Sequence, residues 1–203
     1  MLDNPISMTN DKFCIGISSD FQLEIPGILE PILDNHFGSL SYVEYEYFPG
    51  ASRVVVQPDQ ISNYDALITL RPRFTVASFA GLKRLVLIAR WGVGYDMVDL
   101  PACTKANVLL TITGDAVAIP VAEAILTLFL ALAKKLPLKE RIARSGRWDL
   151  KAQASGLGLR GKVVGSLGLG GIASEMFNLL KPFRLARMIV YDPYIPTGKA
   201  AGM

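Results

Sequence analysis

The chain of 203 residues is 51% hydrophobic and 19% charged, which is enough apolar content to bury a core and excludes a disordered chain. Its formal net charge of +3 is too small to argue for nucleic acid, and "KK" (134–135) and "KERIAR" (139–144) read as a solvated helix face. The opening "MLDNPISMTNDK" has neither a basic n-region nor an apolar h-region, so no secretory signal is visible. The longest uncharged apolar run, Ala124 to Ala133, falls well short of the roughly 20 residues of a membrane helix. From Phe13 onward short apolar runs alternate with helix-like stretches, the pattern of an α/β fold. Strands are predicted at "FCIGIS" (13–18), "VEYEYF" (43–48), "ALITL" (66–70), "LVLIA" (85–89) and "VLLTI" (108–112). "GILEPILDNHF" (27–37) and "VASFAGLKR" (76–84) carry apolar residues near helical spacing, the first weakened by Pro31. Cys14 and Cys103 lie far apart with no metal-type spacing, so free thiols in a reducing cytoplasm are expected, and no metal.

"PVAEAILTLFLALAKK" (120–135) is different in kind. Thr113, Gly114 and Asp115 supply turn and capping chemistry ahead of it, and Pro120 suits a first helical turn. Its apolar residues cover every face, so it should be buried on most sides; a second subunit is one candidate cover. Pro137 should end or kink it. The polar "SGRWDLKAQASG" (145–156) reads as a linker.

Two glycine fingerprints follow almost back to back. Gly156, Gly158 and Gly161 match G-x-G-x-x-G, and Gly168, Gly170 and Ala173 match the looser form ending in Ala. The motif needs a strand before it and a helix after it, because the helix N-terminus presents free N–H groups and positive dipole to a pyrophosphate. "GLGLRG" fails: the linker precedes it and "KVVGSLG", a predicted strand, follows. The second passes, with strand "KVVGSL" before it and helix "SEMFNLLKPF" (174–183) after it. Gly168 would permit the tight turn and Gly170 the approach of phosphate to the backbone. "MIVYDPY" (188–194) then supplies a second strand ending at Asp192, 24 residues after Gly168. A carboxylate there would accept from both ribose hydroxyls and repel a 2′-phosphate, which favours NAD over NADP.

These segments, in this order, resemble the D-isomer-specific 2-hydroxyacid dehydrogenase family. "LVLIARWGVGYDMVDL" (85–100) is similar to its strand-and-loop segment, "PVAEAILTLFLALA" to its interface helix, and "GLRGKVVGSLGLGGIASE" with "VYDPY" to the start of its cofactor domain. The likeness runs from about Phe13 to Tyr194. It implies an α/β chain with a flavodoxin-like substrate domain at 1–112, lacking the family's C-terminal helix, followed by an NAD-binding Rossmann domain at 113–203, cut after its first βαβ. It also implies NAD as cofactor, a small 2-hydroxy/2-oxo acid as substrate, and a homodimer through helix 120–135, with no nucleic acid or membrane partner. Position by position, Gly92, Val93 and Gly94 match the backbone loop that meets the substrate carboxylate; a plain turn after a strand is the alternative. Gly171 and Ile172 match the backbone N–H positions at the pyrophosphate, and Asp192 the ribose-binding acid. Gly171 stands where the family commonly has a longer, often basic side chain.

The family's substrate-polarising Arg, its acid/base His and the Glu paired with that His match no position before Met203, so no catalytic residue is assigned. The only histidine, His36, reads as a surface or C-capping residue. The expectation is therefore the N-terminal fragment of an NAD-dependent oxidoreductase half as long again, moving a hydride between NAD(H) and a D-2-hydroxy/2-oxo acid, and inactive by itself. A dinucleotide-sensing, corepressor-like interaction protein on the same scaffold is the alternative, since fold does not fix function.

Overall fold

The computed structural model describes residues 12–196 and 198, so the reading of the N-terminal "MLDNPISMTND" lies outside the described residues. The chain divides into two compact units, 1–113 and 114–203.

The first unit is built on five parallel strands: β1 (Phe13–Ser18), β2 (Val43–Phe48), β3 (Ala66–Thr69), β4 (Leu87–Arg90) and β5 (Leu109–Ile112), in spatial order β2-β1-β3-β4-β5. All-parallel sheets need cover on both faces, and alternation along the strands divides the core accordingly. Ile17 and Ile68 face α1 (Asp20–Glu24) and α2 (Leu29–Phe37), against Phe21, Leu29 and Leu33. Leu67 and Ile88 face the other layer, which holds α3 (Pro58–Ile61) and α4 (Leu100–Lys105), among Ile61, Phe74 and Cys103. Ile17, Ile61, Leu67 and Ile88 are fully buried, and each such side chain contributes about 1.5–3 kcal/mol. Glu44 and Glu46 alternate with Tyr45 and Tyr47 on edge strand β2, where charge discourages pairing with another chain. The tyrosine hydroxyls donate to Asp34 and Glu30 and tie α2 to that edge. Pro31 is the third residue of α2, where an N–H has no helical partner, so the helix tolerates it. The helix expected at 76–84 is instead one 3-10 turn, Val76–Phe79. Thr75 N donates to Ser78 Oγ to start it, and Gly81 at φ +73° takes the chain out. Beside α2, an apolar groove of about 220 Å3 lined by Ile32, Leu33, Phe37, Ile68, Ala89 and Trp91 runs over the sheet.

The second unit packs α5 (Ala118–Ala133), α6 (Leu136–Ser145) and α7 (Gly171–Leu180) with a parallel pair, β6 (Val163–Leu167) and β7 (Arg187–Tyr191). One side of α5, carrying Ala122, Ile125, Phe129 and Ala133, meets Met176, Phe177 and Leu180 of α7. Burial on most sides does not occur within this chain: Ile119, Leu128 and Leu132 are 56%, 65% and 74% exposed. Counted with its charged residues, Asp115–Ala133 is also long and apolar enough to cross a membrane by length and composition, at mean hydropathy 2.2, which the uncharged run alone did not show. A helix with one side in a protein core passes the same test. Pro137 ends α5 by opening α6, after Lys135 turns the chain at φ +53°. The stretch 145–156 is not an extended linker. Residues Trp148–Ala154 form a 3-10 helix, begun by a two-pronged Arg147–Asp149 pair at 2.9 and 2.8 Å and held by Lys135 Nζ on Gln153 O.

Candidate functional site

β6 and β7 run in register, Leu167 opposite Tyr191, so the segments that leave them begin side by side. Gly168 extends the pairing by donating its N–H to Tyr191 O at 2.8 Å, then turns at φ +94°, a conformation that favours glycine. Leu169, 2% exposed, anchors the turn in the core. Gly170 is the N-cap of α7, with extended backbone and no side-chain cap, so the first N–H groups of the helix, at Gly171, Ile172 and Ala173, face outward without a side-chain acceptor. A Cβ on Gly168 or Gly170 would meet nothing within 4 Å, and one on Gly171 would only touch Ala118 Cβ at 3.8 Å. α7 therefore starts three residues earlier than predicted, at the glycines themselves.

Asp192 follows β7. Its Oδ2 accepts from Leu169 N at 2.8 Å and its Oδ1 from Tyr194 N at 2.9 Å. Spacing alone could place a carboxylate near the turn; it could not show that the same carboxylate holds the turn closed.

The other fingerprint has no such setting. No helix follows it, and Gly156 is packed on the end of α5, where a Cβ would lie 2.6 Å from Lys134 Cα and 2.7 Å from Ala133 O. Leu157 N donates to that same Ala133 O. Gly158 faces open space and Gly161 turns at φ +73° into β6.

In the first unit, Gly92, Val93 and Gly94 lie just past the C-terminal end of β4, the edge at which open parallel sheets bind ligands. Gly92 sits at φ +130°. Its N–H donates to Thr113 Oγ1 at 2.7 Å and its carbonyl accepts from Thr113 N at 3.0 Å, which pins the loop to the end of β5. Val93 and Gly94 have N–H groups with no hydrogen bond among the described residues. Thr113 stands 21 residues from Gly92, and no sequence spacing links the two. Arg90 closes β4, half-buried, and Nη1 lies 1.7 Å from where a Cβ on Gly92 would be. Burial first, and then the like charge of Arg71, loosen its hold on its proton, against the opposing pull of Asp96. His36 is exposed in the last turn of α2, which runs back toward the N-terminal ends of the strands and away from this loop.

Residues 28–178 match the family model for the D-isomer specific 2-hydroxyacid dehydrogenase catalytic domain. The chain is 37% identical over 121 residues to a D-3-phosphoglycerate dehydrogenase of Methanocaldococcus jannaschii, with 60% of this chain and 23% of that protein covered. It is 30% identical over 140 residues to a glyoxylate reductase of Pyrococcus horikoshii, covering 66% and 42%. In fold it is similar to the D-lactate dehydrogenase of Aquifex aeolicus, solved with NAD and lactic acid, at TM-score 0.72 and 20% identity, covering 92% of this chain and 54% of that one. The chain thus spans between about a quarter and a half of the length of these proteins.

Proposed function

The chain belongs to the D-isomer specific 2-hydroxyacid dehydrogenase family, and on that premise we propose that it supplies the acid-binding loop and the adenosine end of the cofactor site of an NAD-dependent oxidoreductase acting on a D-2-hydroxy/2-oxo acid pair. The observation that carries this reading is the turn 168–172: uncapped N–H groups at the head of α7, open space in front of Gly170, and a carboxylate fixed beside them. That donor set suits a pyrophosphate on the helix N-terminus and a ribose beside Asp192. A carboxylate offers roughly four acceptor positions, so Asp192 can hold Leu169 and accept from a hydroxyl together. Its charge opposes a 2′-phosphate, hence NAD rather than NADP.

When bound, NAD supplies the hydride acceptor or donor at its nicotinamide ring. The chain's own residues bind and orient. Gly171 and Ile172 N–H donate to phosphate, Asp192 orients the ribose, and Val93 and Gly94 N–H take the carboxylate of the acid. Gly92, its N–H already given to Thr113, shapes that loop. Proton transfer needs a group whose pKa lies near the working pH. The single histidine is turned away from both places, so the 203-residue chain binds without turning over. A second copy covering Ile119, Leu128 and Leu132 of α5 would give a homodimer, and the free thiols Cys14 and Cys103 suit the reducing cytoplasm. The test is calorimetric titration of the chain with NAD, NADP and ADP-ribose. The reading expects NAD and ADP-ribose to bind and NADP to bind at least about tenfold more weakly, a difference of ~1.4 kcal/mol. NADP matching NAD sinks the role given to Asp192.

A further inference from the structure

Residues 1–113 carry eight lysines and arginines against twelve aspartates and glutamates, so this unit is acidic. Four of its five arginines nevertheless belong to the segments that meet around the C-terminal ends of β3 and β4. Arg90 stands opposite Thr69 in the strand register, and Arg71 lies two residues past Thr69, a spacing that returns to the same side of an extended chain. Arg53 N donates to Arg71 O at 2.9 Å and Arg73 N to Val54 O at 2.8 Å, which brings the 53–55 segment alongside. The fold invests in this placement. Asp20, 1% exposed, accepts from Arg71 N at 2.8 Å and from Ser18 Oγ at 2.6 Å, and Glu24 pairs with the Arg71 guanidinium at 3.0 Å.

Arg71 has its counter-charge in Glu24. Arg90 has none: among the described residues its guanidinium makes no hydrogen bond and no ion pair, although it is half-buried and lies across the face of Gly92. The nearest carboxylate felt there is Asp96, an exposed residue of the same loop. A guanidinium presents five N–H donors in a planar fork suited to carboxylate or phosphate, and one left half-buried without an acceptor leaves those donors unsatisfied.

We propose that the acid held at Val93 and Gly94 carries a second anionic group, a distal carboxylate or a phosphate, and that Arg90 receives it, with Arg71 and Arg73 adding positive potential. The proposal rests on the reading of residues 92–94 as the carboxylate loop and narrows the substrate class from 2-hydroxy acids at large to those with two acidic ends.

Trp91, next to Gly92 and edge-on to Phe21 at a ring separation of 5.8 Å, is a local reporter. Replacing Trp148, the other of the two tryptophans, by Phe isolates its fluorescence. The 203-residue Trp148→Phe chain is titrated at fixed ionic strength with D-lactate, D-malate and D-3-phosphoglycerate. At least one of the two doubly acidic compounds should bind about tenfold or more tightly than D-lactate; whichever binds tighter identifies carboxylate or phosphate as the second group. Arg90→Gln should bring that gap to within about twofold while leaving D-lactate affinity nearly unchanged, and Arg90→Lys should keep part of it, because a charge remains without the fork. D-lactate binding as tightly as both dianions, or Arg90→Gln preserving the gap, overturns the second-anion site alone. If none of the three acids binds in a chain that circular dichroism shows folded, the carboxylate loop itself is misassigned and the proposal falls with it.

Discussion

Residues 156–161 and 168–173 spell nearly the same glycine pattern and do opposite work. In the first segment glycine gives way to the protein. Gly156 lets the chain lie against the backbone at the end of α5, and nothing around Gly158 offers a row of donors. In the second, glycine gives way to something outside the protein: the space before Gly170 is open, and an uncapped helix begins there. A glycine pattern reports only that side chains are absent. What fills the room is decided by the elements on either side, and only the second segment has a strand behind it and a helix ahead.

Substitutions can break that contrast. The largest effect on ligand binding should come from Gly170→Val, which puts a branched side chain into the open space and should weaken NAD or ADP-ribose binding at least thirtyfold, about 2 kcal/mol, by calorimetry. Because that space is empty of protein, its melting temperature should stay near that of the parent chain. Asp192→Ala should cost on the order of 1.5–3 kcal/mol of NAD affinity and relax discrimination against NADP. Part of that loss comes from the turn, since Leu169 N–H loses its acceptor; Asp192→Asn keeps an oxygen for Leu169 and should recover part of the affinity but little of the discrimination.

The mirror image belongs to the first segment. Gly156→Val has to displace the backbone of Lys134 and should lower stability by about 1–3 kcal/mol in denaturant unfolding, with ligand affinity kept wherever the chain stays folded. The smallest effects are expected at Gly158→Val and Asp149→Ala, each leaving NAD affinity within about threefold, below ~1 kcal/mol. The Arg147 guanidinium holds the Asp149 carboxyl below its ordinary range. A carboxyl lowered by folding stabilises above its unfolded pKa and loses that contribution as pH falls through the folded one. Asp149→Ala should therefore trim acid-side stability slightly, and only there.

Much of this was legible in the sequence because it depends on local pattern. β1 and β2 fall where alternating and β-branched residues place them, at 13–18 and 43–48, and the order of strand, turn, helix, strand and acid picks out the second fingerprint. What was not legible depends on partners distant in the chain. Thr113 fixing Gly92, Asp192 closing the turn and Asp20 seating Arg71 are tertiary hydrogen bonds between segments 21 to 51 residues apart. The stretch 145–156 looked like a linker because its polarity is that of a surface, and an Arg–Asp pair two residues apart was enough to wind it. The apolar α5 looked buried all round because composition counts faces without saying which neighbour covers them.

The most direct test is a two-dimensional amide NMR titration of the isotopically labelled chain with NAD. The account predicts large shifts at Gly168, Gly170, Gly171, Ile172 and Asp192, and no more than minor ones at Gly156, Gly158 and Gly161. Shifts concentrated at 156–161, with the 168–172 amides unmoved, would contradict it.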